Sequence, residues 1–104
     1  MTIQINTDNN LTIHESFRDK LHGLLSEGLN RYSENITRLE VHLSDENGNK
    51  DALNDKRCMI EARQEGRQPI AVTDIANTHD LAVSGAINKL KHSLDKIMGR
   101  MSTH

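Results

Sequence analysis

Polar and apolar residues alternate with period two over Thr2-Ile3-Gln4-Ile5-Asn6, which puts Ile3 and Ile5 on one face of a predicted strand. Asp8-Asn9-Asn10 supplies turn chemistry, and the spacing then changes to three and four. From about His14 onward, Phe17, Leu21, Leu24, Leu25, Leu29 and Tyr32 mark the buried stripe of an amphipathic helix. Thr12 reads as its N-cap, with Glu15 three residues later completing a capping box. Gly23 and Gly28 each cost about 1 kcal/mol relative to Ala, so packing must hold this helix. Thr37 to Ser44 alternates without a break, turning Leu39, Val41 and Leu43 inward and Arg38, Glu40 and His42 outward. Asp45 to Asp55 reads as a long solvated hairpin loop. A further strand around Arg57 to Glu65 points Cys58, Ile60 and Ala62 inward, and Glu65-Gly66-Arg67 makes a tight connection. The next strand runs from Gln68 through Ile75, with Pro69 near its start where a missing N–H is tolerable. Thr78 caps a last helix with Asp80 in its first turn. That helix carries Val83, Ala86, Ile87, Leu90, Leu94, Ile97, Met98 and Met101 on one side and ends near Gly99 to Met101.

The predicted order is β-α-β-β-β-α, an α+β domain in which a four-stranded sheet buries one face against both helices, since each helix has a single apolar stripe to cover. A helix separates the first two strands, which are therefore expected to be parallel; the last three, joined by hairpins, are expected to be antiparallel. The other sheet face is left polar and exposed. With 104 residues and no linker, repeat or low-complexity tract, residues 1–104 read as one domain.

Composition removes several functions. Phe17 and Tyr32 are the only aromatic residues, too few to stack successive bases of a single strand. No run approaches the roughly 18 apolar residues of a membrane span, and no secretory signal begins the chain, which points to a cytoplasmic protein. Cys58 is alone, excluding an intramolecular disulfide and multi-cysteine zinc patterns. The six histidines, His14, His22, His42, His79, His92 and His104, show no HExxH spacing. The run beginning at Asp45 resembles a calcium loop, but Lys50 and Lys56 stand where Gly and Glu are needed. No metal or cofactor is expected. Glu61 and Asp74 are a conceivable carboxylate pair on neighbouring strands, but nothing around them in sequence shields them or raises a pKa, and no nucleophile elbow or phosphate loop is present. An enzyme is not expected.

A formal net charge of −2 argues against nucleic-acid binding through bulk charge but not through a local patch. On a helix of 3.6 residues per turn, Lys89, His92, Lys96 and Arg100 fall on one stripe opposite Leu90, Leu94, Ile97 and Met101. Lys20 and Arg31 share a side of the first helix and join this ridge if the helices lie side by side. Exposed helix faces are also commonly basic for solubility alone. The functional reading is a ridge that docks on phosphates, which positions a protein without reading sequence.

Several stretches resemble the ribosome hibernation-promoting factor and ribosome-associated inhibitor family: Pro69-Ile70-Ala71-Val72, Ala82-Val83, and Ala86-Ile87-Asn88-Lys89-Leu90 with Leu94 and Lys96. Arg38 to Asn47, with Lys56-Arg57-Cys58, is similar to a proteobacterial-type branch. The resemblance covers essentially the whole chain and implies binding to the small ribosomal subunit, on its 16S-type rRNA, with translation blocked in stress or stationary phase. It makes Lys20, Arg31, Lys89, His92, Lys96 and Arg100 the expected RNA-binding residues. Ser93, Asp95 and Gly99 interrupt the basic character of the last helix, and the chain stops soon after it, which resembles a short form without a C-terminal dimerisation extension. The alternative is a non-enzymatic module of the same fold, weakened toward RNA, that binds a protein through the outer sheet face of Arg38, Glu40, His42, Arg57, Met59, Glu61 and Arg63.

Overall fold

The alternating and helical periods fold as β1 (Thr2–Thr7), α1 (Glu15–Gly28), a short 3-10 turn (Asn30–Tyr32), β2 (Arg38–Asp45), β3 (Lys56–Arg63), β4 (Ile70–Ala76) and α2 (His79–Ser102). This is a computed structural model that describes residues 1–8, 11–46 and 55–102, with side chains through Gly99. Most of the predicted loop between Asp45 and Asp55, Asn9-Asn10, His104 and the side chains of Arg100 and Met101 lie outside the described residues. The strands lie in the order β1-β2-β3-β4. β1 runs parallel to β2, while β2 with β3 and β3 with β4 are antiparallel. The fold is the expected α+β arrangement.

Leu39, Val41, Leu43, Cys58, Ile60 and Ala62 form the inner face of the two central strands, each at most 1% exposed. Leu21, Leu25 and Leu29 from the first helical segment and Val83, Ala86, Leu90 and Leu94 from α2 close over them. At roughly 1.5–3 kcal/mol for each large apolar side chain removed from water, this layer is the main source of stability. At the hairpin neck, the ammonium of Lys56 lies 2.8 Å from Asp45 and 3.1 Å from the buried Asp55. Hydrogen bonds to these two carboxylates push the Lys56 pKa up.

α1 starts later than its capping pattern predicts. His14, not Thr12, is the residue before the first turn; its backbone is extended and its side chain makes no cap. Leu11 and Ile13 are partly buried against the core, and helix from Thr12 onward would turn this alternation away from it. The apolar stripe also outruns the α-helix. After Gly28 the chain tightens into the 3-10 turn, which buries Tyr32 and lets its hydroxyl donate to Asp95 on α2 at 2.5 Å. The Thr78 cap forms as expected, accepting from the Leu81 N–H at 3.3 Å.

Two helical glycines behave oppositely. A Cβ on Gly23 meets nothing within 4 Å, whereas one on Gly85 would lie 2.6 Å from Asp74 Cγ. Gly85 thus permits the close descent of α2 onto β4. Gly23→Ala is expected to raise stability by about 0.5–1 kcal/mol. Gly85→Ala must displace Asp74 and is expected to lower it by about 1–2 kcal/mol despite the better helix former. Urea unfolding of both variants checks the opposite signs.

Candidate nucleic-acid interface

α2 carries Lys89, Lys91, Lys96 and Arg100 against only Asp80 and Asp95, and the partners of these groups decide which cations are available. Lys20 reaches Asp80 at 3.6 Å, and Arg31 reaches Asp95 at 3.3 Å while its guanidinium stacks 5.2 Å from the Tyr32 ring centroid. The two residues therefore approach α2 on its acids, Asp80 and Asp95, and do not extend the stripe of Lys89, His92 and Lys96. Asp80 is held below the usual carboxylate range by the Thr78 hydroxyl, helped by backbone N–H groups and by Lys20. Asp95 also accepts from Tyr32, whose phenol pKa is pushed up by burial and then by that hydrogen bond.

Lys89 leans the other way, onto the outer edge of the sheet. Its ammonium lies 3.0 Å from Asp74 and donates to the Thr73 carbonyl at 2.7 Å. His92 and Lys96 are exposed and have no ion-pair partner among the described residues. Arg100 follows one turn after Lys96 on the same stripe of the helix. Lys91, absent from the sequence-predicted set, lines a groove of about 340 Å³ between the helices with Glu27, Ser84 and Asn88, and is likewise without an ion-pair partner among the described residues. Its signal in the sequence is the basic pair Lys89 and Lys91 two residues apart, of which only Lys89 is in helical phase with Lys96.

The rest of the surface is less suited to an anion. On the outer sheet face Arg38 donates to Gln4 and pairs with Glu40, Arg63 lies 3.1 Å from both Glu40 and Glu61, and Arg57 lies 3.4 Å from Glu46. Those cations are compensated by their neighbours. Glu61 and Asp74 do not form a carboxylate pair. Asp74 is opposite Cys58 on the inner face and Glu61 is opposite Ala71 on the outer one, because successive strand residues alternate faces. Among the described residues no group of three or more His, Cys, Asp or Glu is placed to hold a metal ion, and no helix is long and apolar enough to cross a membrane.

A search of curated protein sequences returned no match. Among solved structures, the chain is similar to the N-terminal domain of Protein Y from Thermus thermophilus, at 21% identity over 93% of this chain and 99% of that one, with a TM-score of 0.71. It is also similar to a ribosomal subunit interface protein from Coxiella burnetii, at 17% identity over 95% of this chain and 99% of that one, with a TM-score of 0.75. Both share the fold. The family model described as Sigma 54 modulation protein / S30EA ribosomal protein matches residues 3–102, nearly the full length, and the chain belongs to that family.

Proposed function

We propose that this protein is a non-enzymatic, cytoplasmic ribosome-associated factor that binds the RNA of the small subunit through the exposed side of α2 and thereby holds translation down in stressed or stationary cells. Family membership supports the ribosome as partner. The observation that carries the choice of surface is that Lys91 and Lys96, with His92 between them, have no ion-pair partner among the described residues, while Lys20, Arg31 and Lys89 are each held by a carboxylate. Arg100 joins the contact set by its stripe position. Lys91 to Arg100 spans about two and a half turns of α2, with Lys91 on its groove side and His92, Lys96 and Arg100 on the outer stripe, a spread suited to the backbone of structured RNA and not to base edges. The compensated charges of the outer sheet face disfavour it as the RNA surface.

Co-sedimentation with purified small subunits tests the reading. Binding through three phosphate contacts is expected to weaken roughly 20- to 40-fold between about 50 and 200 mM monovalent salt, because released counterions drive it. Protein that stays in the supernatant at every salt concentration would refute ribosome binding; binding that ignores salt would refute the phosphate-docking surface.

A further inference from the structure

Both open edges of the sheet are touched by a cation from the helix above. β1 bonds to β2 through Thr2, Gln4 and Asn6, as the parallel register and the flanking bonds from Thr2 and Asp8 require, so the carbonyl of Ile5 points outward. Arg18 donates to it at 2.6 Å. On the other side, the bond from the Glu46 N–H to the Asp55 carbonyl sets the phase of the hairpin and directs Cys58, Ile60 and Ala62 of β3 toward β4. Their partners Asp74, Val72 and Ile70 complete that ladder, leaving the N–H and C=O groups of Ala71, Thr73 and Ile75 facing outward. The Thr73 carbonyl, at the centre of this row, accepts from Lys89.

An unpaired strand edge is a template for another strand, and a lysine across it is a common way of blocking that pairing. β4 is the more adhesive edge. Both edge strands are nearly uncharged, but only β4, Ile70-Ala71-Val72-Thr73-Asp74-Ile75-Ala76, carries an exposed large apolar side chain, Ile75, 47% exposed on the solvent face. It is also self-complementary: two copies placed antiparallel about Thr73 set Thr73 against Thr73 and Ala71 against Ile75, using only outward-facing groups. That is an isologous contact, closed by a two-fold axis.

We propose that the β4 edge is a latent self-association surface whose partner is a second copy of this chain, and that Lys89, anchored on Asp74, keeps it shut. The ammonium occupies the central carbonyl that strand pairing needs, and the lysine stem, 54% exposed, stands in the path of the incoming strand. Removing the charge leaves the acceptor unfilled and one fewer cation to desolvate on pairing.

Sedimentation equilibrium and amide hydrogen exchange on the full chain test this. Lys89→Met, which keeps most of the stem's apolar cover, is expected to raise the weight-average mass toward twice that of the chain with increasing concentration, over a range where the unmodified protein stays lower. The amides of Ala71, Thr73 and Ile75 are expected to gain protection in step. Adding Thr73→Pro, which deletes an outward N–H and leaves the β3 ladder intact, is expected to restore the monomer. A folded Lys89→Met protein that remains monomeric, association that survives Thr73→Pro, or protection at Ile3, Ile5 and Thr7 instead each overturns the assignment. Asp74→Asn releases the ammonium without altering the lysine and is expected to shift the equilibrium in the same direction; if Lys89→Met does not fold, a folded, monomeric Asp74→Asn protein decides against the proposal.

Discussion

Replacing Lys91, Lys96 and Arg100 together by Glu is expected to lower affinity for small-subunit RNA by about 10²- to 10³-fold. Two unit charges about 4 Å apart in water interact by roughly 1 kcal/mol. Reversal exchanges that attraction for a repulsion, and screening removes about a third to a half of the sum over three sites, leaving roughly 3–4 kcal/mol. Each 1.4 kcal/mol is about a factor of ten in the dissociation constant. Lys91 and Lys96 have no ion-pair partner among the described residues, so their reversal breaks no ion pair there, and the direct cost to folding should stay within about 0.5 kcal/mol per site. Lys96 and Arg100 also lie near the C-terminal end of α2, where exchanging cations for anions costs roughly a further 0.3–1 kcal/mol through the helix dipole. A melt monitored by circular dichroism accompanies the binding measurement for that reason. Arg57→Glu with Arg63→Glu, on the outer sheet face, is the matched control and is expected to leave binding within about threefold once screened at this distance. Equal losses from both sets would show that bulk charge, not α2, drives association.

The sheet was legible because Leu39, Val41, Leu43, Cys58, Ile60 and Ala62 alternate with polar residues through two long strands, and a period of two admits one inward set. The order of elements and the covering of one face followed from the two helical stripes. What the periods did not carry was local. Thr12 and Glu15 have capping-box spacing, but Leu11 and Ile13 gain more by packing as an extended segment than the cap provides. The stripe from Phe17 to Tyr32 hid the change to 3-10 geometry after Gly28, since residues three apart face the same way in both helices. For the basic ridge, sequence placed the charges on helix faces but not their partners. Asp80, Asp95 and Asp74 are far in sequence from Lys20 and Arg31 or lie on a different element from Lys89, and only the packing of α2 brings them within reach. The candidate surface accordingly moved along α2, from a ridge joined by the first helix toward Lys91, His92 and Lys96.

Cys58 gives a second large effect, in alkali. It is fully buried on the inner face of β3, and burial, with the charge of Asp74 adding to it, pushes its thiol pKa from 9.0 to about 12. Below pH 9 the thiol is protonated in both folded and unfolded chains and stability does not depend on it. As pH rises from 9 toward 12 the unfolded chain releases this proton and the folded protein does not, so stability falls with pH, by up to about 4 kcal/mol at the top of the window. That is a large part of the roughly 5–15 kcal/mol that holds a domain together. The Tyr32 phenol, also raised, acts in the same direction, so the comparison must isolate the thiol. Cys58→Ala is expected to cost about 1 kcal/mol at neutral pH through lost packing. By about pH 11 the wild-type protein should have lost about 3 kcal/mol that the variant keeps, making the variant the more stable of the two. Urea unfolding across the window reads the crossing. The same shift suppresses the thiolate about 10³-fold in the folded state, so iodoacetamide should modify Cys58 only through unfolding and its rate should follow the unfolded population in urea. A stability difference between wild type and Cys58→Ala that stays constant from pH 7 to 11, or alkylation in native buffer at the unfolded-chain rate, would place the thiol in water and not in the core.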